Sequence, residues 1–370
     1  MALYIGLISG TSVDAVDAVL CDISQAPTIK QIHSLSHNYP TELRQQLLDF
    51  GKSQYNGDPI DQLGQLDHQV AIQFAEAVNR LLVQAGYRKE DIRGIGSHGQ
   101  TLRHRPELKF PFTLQVGDPS LIASKTQITT IADFRRKDMA LGGQGAPFAP
   151  AFHHHFFSDV KQNRAIVNLG GIANVTLLQP GKPPIGFDTG PANTLMDQWI
   201  SQHKKLDYDA NGQWANGGHI LPELLDALKK DPYFLQQAPK STGCEYFNMD
   251  WLKTQTQQFK LNHFAPQDVQ RTLLQLTVDT VNQAIKQYLQ EGEVYLCGGG
   301  AHNNLLHQEI QKQIPNIPVN TTQALGVSPD WVEALTFAWF AAKTLNKETI
   351  DLCSITGAAK ASILGGIYHP

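Results

Sequence analysis

The sequence predicts an α/β fold built as two related halves. Three observations lead there. Strand-like apolar runs alternate with helical periodicities along the chain. A buried strand, a glycine turn and a returning strand occupy Leu3–Cys21, and the same layout returns at Arg164–Leu178. With 370 residues the chain exceeds one ordinary core and suits two domains.

Leu3–Ile8 is a short apolar run, and Ala15–Cys21 is a second, so a hairpin is expected around the turn between them. A short polar helix and loop follow over 40–56. Leu66, Val70, Phe74, Val78 and Leu81 recur at helical spacing, and Gly86 is placed to end that helix. Ile92–Ser97 reads as a brief strand running into His98-Gly99-Gln100-Thr101. Thr129–Ala132 reads as another, closed by Asp133-Phe134-Arg135-Arg136. The glycine-rich stretch Gly142–Pro147 marks a boundary. The first domain is therefore placed at 1–140 plus about 345–370, and the second at 141–344. In the second, Ala165–Leu169, the turn Gly170-Gly171 and Ile172–Leu178 repeat the opening unit. Glu293–Cys297 ends in Gly298-Gly299-Gly300 before a helix over Asn303–Gln313. Ser328-Pro329-Asp330 has the residues that start a helix, and Ile350–Ile367 is expected to return to the first domain as a closing helix.

Composition narrows the function. Hydrophobic residues at 41% and charged residues at 17% describe a globular chain rather than a disordered one. A net charge of −4 supplies no basic field for nucleic acid. The four cysteines, Cys21, Cys244, Cys297 and Cys353, have no metal-ligand spacing and read as reduced, packed thiols. No signal-peptide pattern and no membrane-length apolar segment is visible, so a cytoplasmic protein is expected.

Several tempting motifs fail. Gly51-Lys52-Ser53 ends like a P-loop, but Gln46 stands where its first glycine belongs. Gly298 and Gly300 begin a dinucleotide fingerprint that Asn303 breaks. His153-His154-His155 point in different directions on any regular element, so they cannot converge on one ion.

Other segments carry chemistry. In Ser9–Asp17, Gly10 allows close backbone approach, and Thr11 and Ser12 add hydroxyl donors suited to phosphate oxygens. Asp14 and Asp17 follow, and Asp14 is the candidate ligand for the magnesium ion that accompanies a nucleoside triphosphate. A hairpin turn with ordinary local hydrogen bonds explains the same residues. Two glycine turns in corresponding places suggest a nucleotide clamped between two related domains. In Gly186–Asn193, Asp188 is placed at a strand end before a glycine turn and a helix, where it can act as a general base. A helix cap made by Asp188, Thr189 and Asn193 is the competing reading. Gln100 can hydrogen-bond a sugar or cap a turn. Arg135 and Arg136 can grip a carboxylate or form a solvated turn. Glu333 suits a helix N-terminus as well as a substrate.

These residues, in this order, resemble the anhydro-N-acetylmuramic acid kinase family of the acetate-kinase, sugar-kinase and actin superfamily. The resemblance runs through Ser9–Asp17, Ser97–Thr101, Gln115–Asp118, Asp133–Pro147, Val167–Val175, Gly186–Asn193, Pro239–Asn248, Cys297–Gly300 and Glu333–Ala341. It implies two ribonuclease-H-like domains with ATP in the cleft between them, a homodimer, and a cytoplasmic role in peptidoglycan recycling. The implied ATP contacts are Gly10, Thr11, Ser12, Val13, Asp14, Ala15, Val16, Asp17, Gly170, Gly171, Gly298 and Gly299. Asp188 is the implied catalytic base, and Gln100, Arg135 and Glu333 are implied sugar-site residues. The alternatives are another sugar kinase of the same fold and an actin-like regulatory ATPase.

Overall fold

The computed structural model describes residues 1–370 except Thr11, Ala26, Asn56 and Pro239, and excepting the side chain of Gln25. Among the described residues the strands are β1 (Leu3–Ser9), β2 (Ala15–Gln25), β3 (Thr28–Asn38), β4 (Ile92–Arg105), β5 (Phe112–Val116), β6 (Thr130–Ala132), β7 (Arg164–Leu169), β8 (Ile172–Leu178), β9 (Ile185–Pro191), β10 (Glu293–Cys297), β11 (Val319–Thr321) and β12 (Gly366–Tyr368). The chain forms two compact units. One joins Met1–Phe156 with Trp331–Pro370, and the other is Phe157–Asp330.

The sheet of the first unit has the order β12-β6-β4-β1-β2-β3, with β5 paired to β4; the sheet of the second has the order β11-β10-β7-β8-β9. In the first, β1, β2 and β3 pair antiparallel, and β4 and β6 extend the sheet in parallel from β1. In the second, β7, β8 and β9 pair antiparallel, and β10 and β11 extend in parallel from β7. The expected repeat is therefore one topology used twice, the ribonuclease-H-like arrangement.

The long helix Pro59–Ala85 carries the apolar stripe Leu66, Val70, Phe74, Val78 and Leu81 into the first core. Asp58 caps it by accepting from the Ile60 and Asp61 N–H groups, Pro59 opens it, and Gly86 ends it at φ 71°. The helix Val332–Leu345 lies directly on β1 and β4. A Cβ at Gly6 would sit 1.8 Å from the Ala334 carbonyl oxygen, and one at Gly96 would sit 1.9 Å from that of Phe337. Trp339 on the same helix meets His155 and Phe152 of the helix Ala149–Phe157. These two helices explain why the units divide at 156/157 and 330/331, where the sequence placed the divisions at 140/141 and about 344/345.

Other expectations change. β4 does not stop at Ser97. It continues to Arg105 because β5 pairs with its second half, Gln100 opposite Val116. Asp188 is not at a strand end but in the middle of β9, opposite Asn174. Ser328-Pro329-Asp330 does not cap the following helix. Pro329 instead accepts from the Gly298 N–H at 2.9 Å, and the helix begins after Trp331 without a side-chain cap. Residues 350–367 do return to the first unit, but not as a helix. Gly357 and Gly365, both at φ 81°, interrupt it, leaving the short turn Cys353–Thr356 and β12 beside β6. Cys353 is exposed, so it is not a packed thiol, whereas Cys21 and Cys297 are buried. His153 is fully buried, His154 is exposed and His155 stacks on Trp339. Among the described residues no three ligand side chains gather for a metal.

Candidate active site

The first unit gathers one group of predicted residues around the end of β1. Ser9 lies opposite Gln100 in the parallel pairing, and its hydroxyl donates to Gln100 Oε1 at 2.5 Å. Gln100 Nε2 donates to the carbonyls of Gly10 and Thr101, each at 3.2 Å. The hairpin after β1 turns through a Val13 N–H to Gly10 carbonyl bond of 3.2 Å. Val13 is held there at φ 52°, a region a β-branched residue occupies at a cost of about 1–3 kcal/mol. Asp14 and Ser12 are exposed, and the Ser12 hydroxyl donates to Asp14 Oδ1 at 2.7 Å. Val16 is buried, whereas Ala15 and Asp17 are half-buried. Asp17 accepts from Ser36 at 2.5 Å. Thr11 lies outside the described residues. A Cβ at Gly10 would meet nothing nearer than Ser12 Oγ at 3.9 Å, so the fold itself does not demand glycine there.

Arg135 bonds to His98, which lies two residues before Gln100 on β4. Its Nε–H donates to His98 Nε2 at 2.8 Å, and its Nη1 donates to the Gly145 carbonyl at 3.1 Å. The guanidinium lies over the Phe148 ring. Burial lowers the Arg135 pKa to about 10, and the Glu333 carboxylate opposes that shift. Glu333 is exposed in the first turn of Val332–Leu345. Thus Gly10, Gln100, Arg135 and Glu333 all belong to the first unit, with Gln100 bonded to Gly10 and Glu333 acting electrostatically on Arg135. Arg136 takes no part. It pairs with Asp133 at 3.3 Å on the surface.

Asp188 organises the second unit's group. Its side chain projects from β9 on the face opposite Phe187 and Thr189, which are buried. The register shifts between Ala173 and Asn174, and this bulge sets Asp188 opposite Asn174, which in turn lies opposite Asn168 on β7. A polar row of Asn168, Asn174 and Asp188 thus crosses three strands on one face. Asp188 Oδ2 accepts from the Thr242 N–H at 2.9 Å, and its carbonyl accepts from the Tyr233 hydroxyl at 2.8 Å. Burial raises its pKa to about 6. The Thr242 bond and Lys240 oppose the rise, and Glu245 adds to it. The helix-cap reading of this segment does not hold, since Ala192 is the cap residue and makes no side-chain bond, and Asn193 donates to the Leu169 carbonyl instead.

The two glycine turns of this unit follow the adjacent strands β7 and β10. The Gly170 carbonyl accepts from Asn193 N–H, and the Gly171 carbonyl from Ala192 and Thr194 N–H, so this turn receives the start of the helix Asn193–Lys204. Gly298, at φ 76°, would drive a Cβ to 2.2 Å from Asn168 Oδ1. Packing alone therefore explains Gly298. It does not explain Gly299, which is exposed and has nothing within 4 Å of its Cβ position. Sequence reasoning missed Asn168, Asn174, Lys240, Thr242 and Glu245 as individuals. The last three lie in Pro239–Asn248, a segment of the resemblance whose Pro239 is outside the described residues.

A family profile described as anhydro-N-acetylmuramic acid kinase matches residues 2–370. The chain belongs to the anhydro-N-acetylmuramic acid kinase family. A curated family member from Coxiella burnetii (strain Dugway 5J108-111) is 48% identical over 368 residues, covering 99% of this chain and 97% of its own. Another, from Saccharophagus degradans, is 46% identical over 372 residues, covering 100% and 99%. Among solved structures, the activator of 2-hydroxyisocaproyl-CoA dehydratase from Clostridium difficile covers 92% of this chain and 94% of that one. Its TM-score is 0.46 and its sequence identity 12%. Among the described residues no helix is long and apolar enough to cross a membrane.

Proposed function

We propose that the protein is an ATP-dependent carbohydrate kinase that opens 1,6-anhydro-N-acetylmuramic acid with water and phosphorylates O6. The products are N-acetylmuramic acid 6-phosphate and ADP, and the setting is cytoplasmic peptidoglycan recycling by a homodimer. Family membership over the whole chain supports the substrate class. The observation that carries the mechanism is Asp188, whose pKa of about 6 leaves it ionised at neutral pH yet basic enough to take a proton.

Asp188 accepts a proton from water, and the water oxygen bonds to the anomeric carbon. The C1–O6 bond breaks, with its electron pair leaving on O6. That oxygen then bonds to the γ-phosphorus of ATP as the bond to the β-phosphate oxygen breaks. A single carboxylate suffices because the phosphoryl group receives the leaving oxygen, whereas ordinary glycosidases use a pair of carboxyl groups. Thr242 orients the Asp188 carboxylate through its N–H, and Lys240 supports its charge. Gln100, Arg135 and Glu333 hold the sugar. Residues 10–17, Gly170, Gly171, Gly298 and Gly299 hold ATP. Asp14 fits a magnesium site, since its exposed carboxylate is an oxygen donor of the kind that ion takes beside nucleotide phosphates and water. Magnesium there would neutralise charge on the transferred group.

The reading is tested by incubating the protein with ATP and the anhydro sugar in ¹⁸O-labelled water and analysing the product by mass spectrometry. N-acetylmuramic acid 6-phosphate labelled at C1 is expected. Label in inorganic phosphate, with the sugar unchanged, would mean that water attacks ATP and would refute the proposal.

A further inference from the structure

The hydrogen bonds around His98 fix which of its ring nitrogens carries the proton. Nδ1 lies 2.9 Å from the Gly99 carbonyl, which can only accept, so Nδ1 bears the hydrogen. Nε2 lies 2.8 Å from the Nε of Arg135, which can only donate, so Nε2 bears the lone pair. The ring is therefore neutral, and burial and the Arg135 charge both hold its pKa well below the ordinary histidine value. Gly99 makes the first bond possible. It sits at φ 76° with its Cβ position 2.6 Å from the Val116 carbonyl oxygen, a backbone path reserved for glycine. The imidazole is buried and packs on Phe337, with ring centroids 4.7 Å apart. Phe337 is one helical turn beyond Glu333, the carboxylate that acts on Arg135.

We propose that His98 is a positioning residue that holds the Arg135 guanidinium so that its remaining N–H donors meet the carboxylate of the acceptor sugar. Among the described residues, two of the five guanidinium donors are committed, one to His98 and one to Gly145. Three are left for other partners, and a fixed guanidinium fork matches a carboxylate. A neutral histidine does this where a carboxylate would not. It accepts one hydrogen bond without cancelling the positive charge that must face the substrate. This inference rests on the assignment of Arg135 to the sugar site.

The test compares the acid-bearing 1,6-anhydro-N-acetylmuramic acid with 1,6-anhydro-N-acetylglucosamine, which lacks the carboxylate. His98→Phe keeps a ring on Phe337 and removes the acceptor. It should raise KM for the acid-bearing sugar roughly 10- to 100-fold, the loss of a hydrogen bond to a charged group. Its KM for the acid-free sugar, its KM for ATP and its kcat should stay within about threefold. His98→Gln, whose amide oxygen can accept from Arg135, should recover most of the loss. Arg135→Ala should erase the preference between the sugars, and His98→Phe should add nothing to it. An equal rise for both sugars would overturn the role of His98. A preference that survives Arg135→Ala would instead overturn the placement of Arg135 in the sugar site, and this inference with it. Nitrogen-15 NMR of the unaltered protein provides a check that needs no variant. It should show His98 protonated at Nδ1 and pyridine-like at Nε2, and the opposite tautomer would sink the proposal.

Discussion

At the scale of residues, Asp188 joins function to stability in one titration. In the proposed role of general base it must be ionised, so kcat/KM should rise through a pH of about 6 and level off above it. Asp188→Asn should bind both ligands and lose turnover by about 10²–10⁴-fold. The same substitution should make the protein more stable at pH 8. The folded-state pKa is raised above the unfolded value, so the contribution of Asp188 to stability is fully present below about pH 4 and lost as pH rises through about 6. The amide introduced by Asp188→Asn would keep an oxygen for the Thr242 N–H without burying a charge. Thermal melts of both proteins from about pH 4 to pH 8 check this. A gap that fails to open with rising pH would argue against the raised pKa.

At the scale of elements, two glycines decide how closely a helix can approach a sheet. Gly6 and Gly96 face backbone carbonyls of Val332–Leu345, which cannot move aside as a flexible side-chain end can. Gly96→Ala should therefore cost at least the roughly 1–3 kcal/mol typical of overpacking and lower Tm by several degrees or abolish soluble expression. Gly299→Ala serves as the contrast. Its Cβ has open space, so Tm should hold and any change should appear in the KM for ATP alone. Equal Tm losses for the two variants would show that the close approach is not what Gly96 serves.

At the scale of the molecule, the two units differ in how the chain builds them. The second is continuous from Phe157 to Asp330, and the first needs both ends of the chain. Its C-terminal part supplies the fully buried Leu335, Ala338, Phe340 and Ala341. It also supplies Thr356, whose hydroxyl donates to the buried Asp138 at 2.8 Å, and β12, which pairs with β6. Residues 157–330 expressed alone should melt cooperatively, whereas 1–156 alone should not. Circular dichroism and protease resistance distinguish the outcomes, and a cooperative melt for 1–156 would show that its core does not need the returning segment.

The family resemblance pointed to the candidate residues Gly10, Gln100, Arg135, Asp188 and Glu333, and the local patterns of the chain already contained the two strand–glycine–strand units and the apolar stripe from Leu66 to Leu81. Such features depend on neighbours in sequence, through alternation, helical period and the freedom of glycine, and can be read before folding. The place of Asp188 within β9, the run of β4 past His98 and the failure of Ser328-Pro329-Asp330 to cap a helix could not be read this way. Each was decided by a partner that the folded chain brings alongside: Asn174 and Thr242 for the first, β5 for the second, Gly298 for the third. The proton on His98 belongs to the same class. Its position follows from an arginine 37 residues away, because hydrogen bonds inside a folded protein are chosen by proximity in space.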